Sequence, residues 1–310
     1  MKKPKIVIVG SSNTDMIIKM ERIPEPGETV IGGEFSIAAG GKGANQAVAA
    51  ARAGGEVNFV ACVGKDMFGK QAVEGFIKDG INVEYVFEKS HTASGVALIF
   101  VDKKGENSIA VASGANSKLL PSHIERAKNA IISADVLIMQ LETPIATVNA
   151  AAKLASANRV KVILNPAPAR PLEAETLRYI SILTPNKSEA ELLTGIKVED
   201  EKGADEAANA LLSRGLQTVL ITLGPGGVYV ATSDMRKMVP GFEVEAVDTT
   251  AAGDVFNGAL AVSLAENNPW LEAVRFANAA AALSVTKLGA QPSAPYRAEI
   301  EKFLKKPSLL

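Results

Sequence analysis

The sequence has 310 residues, of which 33 are lysine or arginine and 34 are aspartate or glutamate. Such balanced charge gives no reason to expect nucleic acid or an anionic membrane as a partner. One cysteine and two histidines exclude an internal disulfide framework and argue against a zinc site or a serine–histidine–acid triad.

Short apolar runs recur along the chain and predict buried strands. The first, KIVIVG (5–10), is too short for a signal peptide, and no run reaches the length of a membrane span, so we expect a cytoplasmic protein. Helical periodicity, as in GANQAVAAARAG (43–54), separates most of the runs. Strands that alternate with helices predict an α/β fold with a mostly parallel sheet. The remaining runs occupy 57–64, 136–141, 161–166, 180–186 and 218–224.

Two regions break this alternation. Residues 15–38 and about 83–112 carry β-like segments joined by turn residues, without a helical pattern between them. They predict antiparallel strands in a small separate sheet, either one discontinuous lid or two unrelated hairpins. From about residue 252 onward the pattern is mostly helical. We therefore expect one α/β domain over residues 1–310 with a small β lid.

Glycine-rich turns follow two strand-like segments. GGKGANQA (40–47) favours an anion site and a simple helix cap about equally, and it is not a Walker A loop because Ser36 and Gly43 occupy two of that motif's required positions. TLGPGG (222–227) fits a nucleotide-phosphate loop or a tight turn. The first strand runs into GSSNTD, which lacks the Rossmann glycines and so argues against a nicotinamide or flavin enzyme.

Polar residues stand at several predicted strand ends. Asn13 and Asp15 follow the first strand, and Glu142 follows VLIMQL (136–141). Parallel sheets bind ligands at this edge, and carboxylates with amides can bind sugar hydroxyls, although each such residue taken singly is more often a turn or cap residue. Asn186 and Glu189 have the N-x-x-E spacing of a helix capping box.

The segment DTTAAGDVFNGA (248–259) follows FEVEAV, which has a strand-like alternation, and opens a long apolar helix. Asp254 therefore stands in the first helical turn. It is either a carboxylate that suits the positive end of the helix or a proton acceptor beside a phosphate held by the small residues. The local pattern alone leaves both interpretations open.

Taken in order, GGKGANQA and DTTAAGDVFNGA resemble the two signatures of the PfkB family of carbohydrate kinases, and the resemblance extends over essentially the whole chain. Ala251 replaces the glycine usual at that position. The resemblance implies a ribokinase-like three-layer sandwich with a β lid, homodimerisation through the lid, and ATP-dependent phosphorylation of D-ribose to D-ribose 5-phosphate. Kinases of deoxyribose, fructose or adenosine, and a non-catalytic sugar-binding regulator, are the alternatives.

The resemblance also implies roles for individual residues. Asp254 corresponds to the general base, with the backbone of Ala251, Ala252 and Gly253 as its anion hole, and Glu189 to a position that organises magnesium largely through water. The sugar contacts correspond to Asn13, Asp15, Gly41, Lys42, Asn45, Glu142 and Asp254. The ATP contacts correspond to Asn186, Thr222, Leu223, Gly224, Pro225, Gly226, Gly227, Gly253 and Asn278. A potassium activator would be held by Asp248, Thr250, Ser284, Lys287, Gly289 and Ser293, several of them through backbone carbonyls.

Overall fold

The computed structural model describes residues 3–305, and its strands follow the apolar runs of the sequence. The strands are β1 (Lys5–Val9), β2 (Asn13–Lys19), β3 (Glu34–Gly40), β4 (Glu56–Gly64), β5 (Val86–Lys89), β6 (Gly95–Val101), β7 (Asn107–Ala112), β8 (Val136–Met139), β9 (Lys161–Leu164), β10 (Ile182–Leu183), β11 (Thr218–Thr222), β12 (Val228–Ala231) and β13 (Arg236–Val239). The helices are α1 (Lys42–Arg52), α2 (Met67–Lys78), α3 (Pro121–Arg126), α4 (Lys128–Ile132), α5 (Ile145–Ala157), α6 (Ala174–Leu177), α7 (Lys187–Thr194), α8 (Glu201–Leu212), α9 (Ala252–Ala265), α10 (Trp270–Ser284) and α11 (Arg297–Leu304).

A nine-stranded sheet forms the centre of the molecule, in the order β13-β12-β11-β10-β9-β8-β1-β4-β5. Its strands pair in parallel except for β12 and β13, which pair antiparallel at one end. Because successive side chains of a strand point to opposite faces, Ile6 and Ile8 enter one apolar core while Val7 and Val9 enter the other. The predicted mostly parallel, three-layer arrangement is confirmed.

Helices cover both faces of this sheet. Helices α1, α2, α9, α10 and α11 contribute side chains to one core, whereas α3 to α8 contribute to the other. Helices α1 and α9 pack closely because Gly258 faces α1: a Cβ there would lie 2.7 Å from the Gln46 carbonyl oxygen. This close approach places the first turn of α1 next to the first turn of α9.

A separate four-stranded sheet has the order β3-β2-β6-β7. It confirms the predicted small sheet, but one boundary differs, because β5 pairs in parallel with β4 at the edge of the large sheet. The second segment of the small sheet therefore begins near Gly95 and not near residue 83. Its central pair, β2 with β6, is parallel, whereas the sequence pattern predicts antiparallel strands throughout.

None of the helices within residues 3–305 combines the length and hydrophobicity needed to cross a membrane.

Candidate active site

Two adjoining cavities open beside the first turn of α9. The smaller, about 170 Å³, has a polar lining that includes Asn165, Glu189 and Asp254. The larger, about 370 Å³, is mostly apolar. Both cavities are lined by Thr222, Thr249, Ala252 and Gly253. The arrangement suits a ligand with an apolar ring at one end and charged or hydroxyl groups at the other.

Asp254 is the buried acid of the polar cavity, with 6 % of its surface exposed. Asn45 donates from Nδ2 to one carboxylate oxygen and Gln46 from Nε2 to the other, both at 2.9 Å. Burial raises the pKa of Asp254, against the opposing effects of the Lys42 charge and of these hydrogen bonds. A carboxylate with this balance is suited to accept and release a proton.

Gln46 is a site residue that the sequence analysis did not identify. It lies on the buried side of α1 and also contacts Asn165, while Gln140 donates to its carbonyl oxygen. Its position next to the predicted sugar contact Asn45 was the available signal, but a glutamine within an alanine-rich helix is usually read as a surface residue.

Lys42 and Glu142 meet at the start of α1. The Lys42 backbone amide donates to Glu142 Oε2 at 3.0 Å, and the Ser11 hydroxyl donates to the same oxygen. Gly41 precedes the helix with a φ of 89°, a left-handed conformation that glycine adopts without strain. Asn13 is held from the other side, since Asn116 donates to its Oδ1 at 2.7 Å.

The polar cavity and its surroundings carry an excess of negative charge. Lys42 is partly buried near four carboxylates. Burial alone would lower its pKa, but these charges raise it; they belong to Asp254, Glu142, Glu189 and Asp15. Burial, reinforced by Glu142 and Asp254, raises the pKa of Asp15 to about 6. Within residues 3–305 no three acidic, histidine or cysteine side chains are grouped to hold a metal ion by themselves, so magnesium here would need oxygen ligands from a bound phosphate as well.

The predicted capping box at the start of α7 is confirmed. The Asn186 side chain accepts from the Glu189 amide, and Glu189 Oε2 accepts from the Asn186 amide, both at 2.8 Å. Both residues nevertheless line the polar cavity. Capping and ligand contact are therefore compatible for these two side chains.

The turn before α9 ends in a strained residue. Ala251 adopts φ 60°, in the left-handed region, which costs a residue with a Cβ roughly 1–2 kcal/mol. The Ala252 amide donates to the Thr249 carbonyl at 3.3 Å. Ala252 and Gly253 begin the helix, so their amides have no intrahelical acceptor, and this end of α9 favours an anion.

Asp248 stands at the other end of that turn and binds backbone amides. It accepts from Thr250 at 2.9 Å and from Gly289 at 2.8 Å. Partial burial disfavours its charge, but these hydrogen bonds outweigh burial and lower its pKa. Ser284 and Ser293 are buried, whereas the Lys287 side chain forms an ion pair with Glu299. Of the predicted potassium ligands, Asp248, Thr250 and Gly289 are thus in direct contact.

The apolar cavity contains only part of the predicted ATP loop. Thr222, Gly224, Pro225 and Gly227 line it, together with Asn278, whereas Leu223 and Gly226 do not. Leu223 instead packs against the apolar core to which helices α3 to α8 contribute. Further lining residues, which the sequence analysis missed, are Phe242, Val244, Ala246, Ala281, Ala282 and Val285.

The first three of these belong to FEVEAV (242–247), and the prediction of a strand there is wrong. The amides of Val247 and Asp248 donate to the Val285 carbonyl, beyond the end of α10, and not to a neighbouring strand. The segment forms a wall of the apolar cavity instead, which explains its alternating apolar residues.

Comparison with known proteins agrees with this architecture. The model of the pfkB family of carbohydrate kinases matches residues 3–297. The chain is 48 % identical to a ribokinase of Haemophilus influenzae over 96 % of its own length and 98 % of that protein, and 37 % identical to a deoxyribokinase of Salmonella typhi over 96 % and 98 %. An Arabidopsis thaliana ribokinase structure with ribose and ATP is 34 % identical, with a TM-score of 0.93 over 98 % of this chain and all of that one. The chain therefore belongs to the pfkB family of carbohydrate kinases.

Proposed function

We propose that the protein is an ATP-dependent kinase that phosphorylates the 5-hydroxyl of D-ribose, with Asp254 as the general base. The observation that carries this proposal is the position of the buried Asp254 carboxylate, which lines a polar cavity adjoining an apolar one. The relatives at 48 % identity and at a TM-score of 0.93 are ribokinases, which supports the choice of sugar.

Unpaired polar atoms support a polyhydroxyl ligand on the sugar side. Asn45 Oδ1 and Thr143 Oγ1 are buried and have no hydrogen-bond partner within residues 3–305. A buried acceptor without a donor is destabilising, so a ligand hydroxyl that donates to Asn45 would be bound favourably. Asp15, Lys42 and Glu142 would supply further donors and acceptors.

The chemistry follows from the two ends of the cavity pair. The adenine ring fits the apolar cavity, which directs the phosphates toward Ala252 and Gly253. The amides at the start of α9 would stabilise negative charge on the transferring phosphoryl group. Asp254 takes the proton of the sugar hydroxyl as that oxygen attacks the γ-phosphorus in line and the bond to ADP breaks.

Two cations complete the proposal. Glu189 would hold magnesium, largely through water, and the bound ion would neutralise charge on the phosphates. Asp248, Thr250, Gly289, Ser284 and Ser293 and the carbonyl of Lys287 would hold potassium. Since the Asp248 carboxylate already bridges Thr250 and Gly289, a cation there would act on the shape of the turn and not on the phosphate itself.

A substrate panel tests the sugar. Ribose, 2-deoxyribose, fructose and adenosine are incubated with ATP and magnesium, and ADP release is measured. We expect the highest kcat/KM with ribose. A higher kcat/KM with deoxyribose or adenosine would assign a different substrate within the family, and sugar binding without ADP release would identify a non-catalytic regulator.

The small sheet supports a homodimer. Because side chains alternate along a strand, Phe35, Ile37 and Leu98 share the face opposite Asp15, and 61, 52 and 45 % of their surfaces are exposed. Such a contiguous apolar patch typically marks an interface, and a second copy of the same sheet is its proposed partner. Sedimentation should show a dimer for the wild type and a monomer for the double variant Ile37→Lys, Leu98→Lys. A wild-type monomer would contradict the proposal.

We propose the cytoplasm as the location, where ATP is available.

A further inference from the structure

A chain of buried side-chain amides lies behind Asp254. Gln140 Nε2 donates to Gln46 Oε1 at 2.6 Å, and Gln46 Nε2 donates to Asp254 Oδ1 at 2.9 Å and to Asn165 Oδ1 at 3.2 Å. Gln46 is fully buried and Gln140 is 1 % exposed. Neither glutamine lines the polar or the apolar cavity. Any influence they have on the chemistry must therefore pass through the two cavity-lining side chains that Gln46 contacts, Asp254 and Asn165.

The carboxylate fixes the direction of every hydrogen bond in this chain. An ionised carboxylate only accepts, so Gln46 must turn its NH₂ group toward Asp254 and its carbonyl toward Gln140. Gln140 must then donate, and its own carbonyl oxygen is left without a partner within residues 3–305. An unsatisfied buried carbonyl is destabilising, so stability alone does not account for the arrangement.

The backbone around the two glutamines leaves their side chains little freedom. A Cβ on Gly10 would lie 2.2 Å from Gln140 Oε1 and 2.6 Å from the Gly43 Cα, so the end of β1, the start of α1 and Gln140 are in close contact. On the other side, Gly258 allows α9 to approach the Gln46 backbone. Side chains packed in this way are held in one rotamer.

We propose that Gln46, oriented by Gln140, is a positioning residue that holds the Asp254 carboxylate in the orientation in which it meets the sugar hydroxyl. The inference rests on the proposed role of Asp254 as general base. Gln46 binds one carboxylate oxygen and Asn45 the other, so the plane of the carboxylate is fixed from two sides. Pre-orientation of a reacting group reduces the entropy lost on the way to the transition state.

Gln46 also affects the charge of Asp254. The Lys42 charge and the hydrogen bonds from Asn45 and Gln46 favour the carboxylate, whereas burial and the charges of Glu142, Asp15 and Glu189 oppose it. Loss of the Gln46 donor would therefore raise the pKa of Asp254 further. At any pH within the titration of Asp254, a smaller fraction of the enzyme would then carry the proton acceptor.

The test is the pH profile of kcat for Gln46→Met, which keeps the side-chain length and removes the hydrogen bonds. We expect the acidic limb to move upward by about one pH unit, since one hydrogen bond to a charged group is worth about that much. Well below both limbs this shift should lower the rate about tenfold, and on the plateau a smaller, pH-independent loss from the less well oriented carboxylate should remain, with the ribose KM within about threefold of wild type.

Two further variants keep the result interpretable. Thr147→Val removes the buried hydrogen bond from Thr147 to the Leu119 carbonyl, so it should lower the melting temperature and leave the limb in place. Gln140→Met should shift the limb in the same direction by a smaller amount, and it decides the matter if Gln46→Met does not fold. A limb that stays at the wild-type pH, whatever the height of the plateau, would overturn the inference. An inactive wild type would instead refute the proposed function, and activity in Asp254→Asn would refute the role of Asp254.

Discussion

Asp248 and Asp254 stand at the two ends of one short turn, yet their surroundings shift their pKa values in opposite directions. Asp254 is 6 % exposed and binds two side-chain amides, and burial raises its pKa. Asp248 is partly exposed and binds the backbone amides of Thr250 and Gly289, which lower its pKa despite partial burial.

The two acids of this turn therefore suit different roles: one suits proton transfer, and the other suits holding the backbone of the turn in place. A carboxylate whose pKa is raised takes up a proton more readily than a free aspartate, whereas one whose pKa is lowered remains an anion to lower pH. A permanent anion is suited to hold backbone amides and a cation in place. The type of residue is the same in both cases, and the depth of burial and the kind of hydrogen-bond donor determine what each acid can do.

The largest expected effect comes from removing the charge at Asp254. Asp254→Asn should lower kcat by roughly 10²–10⁴, because an amide cannot accept the hydroxyl proton. Ribose affinity, measured by calorimetry, should stay within about tenfold. The Asn45 amide can turn its unpartnered Oδ1 toward the new NH₂ group, so the variant should fold. Near wild-type turnover would reduce Asp254 to a helix-capping residue.

The same change at the other end of the turn should cost less. Asp248→Asn leaves one of the two backbone amides without an acceptor, and we expect kcat to fall about tenfold, which corresponds to about 1.4 kcal/mol. The increase in rate when potassium replaces sodium at fixed ionic strength should disappear in this variant. A wild type with equal rates in both salts, or a variant that retains the potassium response, would remove the cation from the account.

The stability of Asp254→Asn should differ from wild type in a pH-dependent way. A raised pKa means that the folded protein binds this proton more readily than the unfolded chain, so wild-type stability falls as the pH rises from the ordinary to the raised pKa. The variant, which lacks this titration, should therefore be more stable than wild type at neutral pH. In thermal melts the difference should narrow near the ordinary pKa of about 4. A variant less stable than wild type at neutral pH would contradict the raised pKa of Asp254.

The smallest effect is expected at Ala251, between the two acids. Ala251→Gly relieves the left-handed strain at φ 60°, but the glycine gains entropy in the unfolded chain, so the net gain should be below about 1 kcal/mol. The turnover number should be almost unchanged, because the backbone amides keep their positions. A clear loss of stability in a chemical denaturation curve would show that the turn needs the alanine side chain.

The layers of the fold could be predicted because the apolar residues of each strand indicate that the strand is buried. Apolar runs such as residues 5–10 and 136–141 are buried on both faces, and the capping box of Asn186 and Glu189 is a local pattern. The strand prediction for FEVEAV (242–247) is wrong for a related reason. Its alternation is real, but a strand also requires a neighbouring partner, and the amide of its last residue, Val247, binds the Val285 carbonyl instead.

The support of Asp254 could not be predicted, because it depends on residues distant in sequence. Gln46 precedes Asp254 by more than 200 positions, and Gln140 stands at the end of an apolar strand where nothing marks it as part of the site. The close contact of α1 with α9, which brings these side chains together, requires the glycine at 258. Spacing within one motif carries no information about such a contact.

The pH dependence of kcat in wild type and Asp248→Asn tests the contrast between the two acids most directly. We predict an acidic limb that lies above the ordinary aspartate pKa of about 3.9. The limb should lie at the same pH in both proteins, with a lower plateau in the variant, because the carboxylates whose pKa values are raised, Asp254, Asp15 and Glu189, are left in place when Asp248 is replaced. A wild-type rate that stays flat down to about pH 4, or a limb that moves when Asp248 is replaced, would contradict the assignment of the two acids.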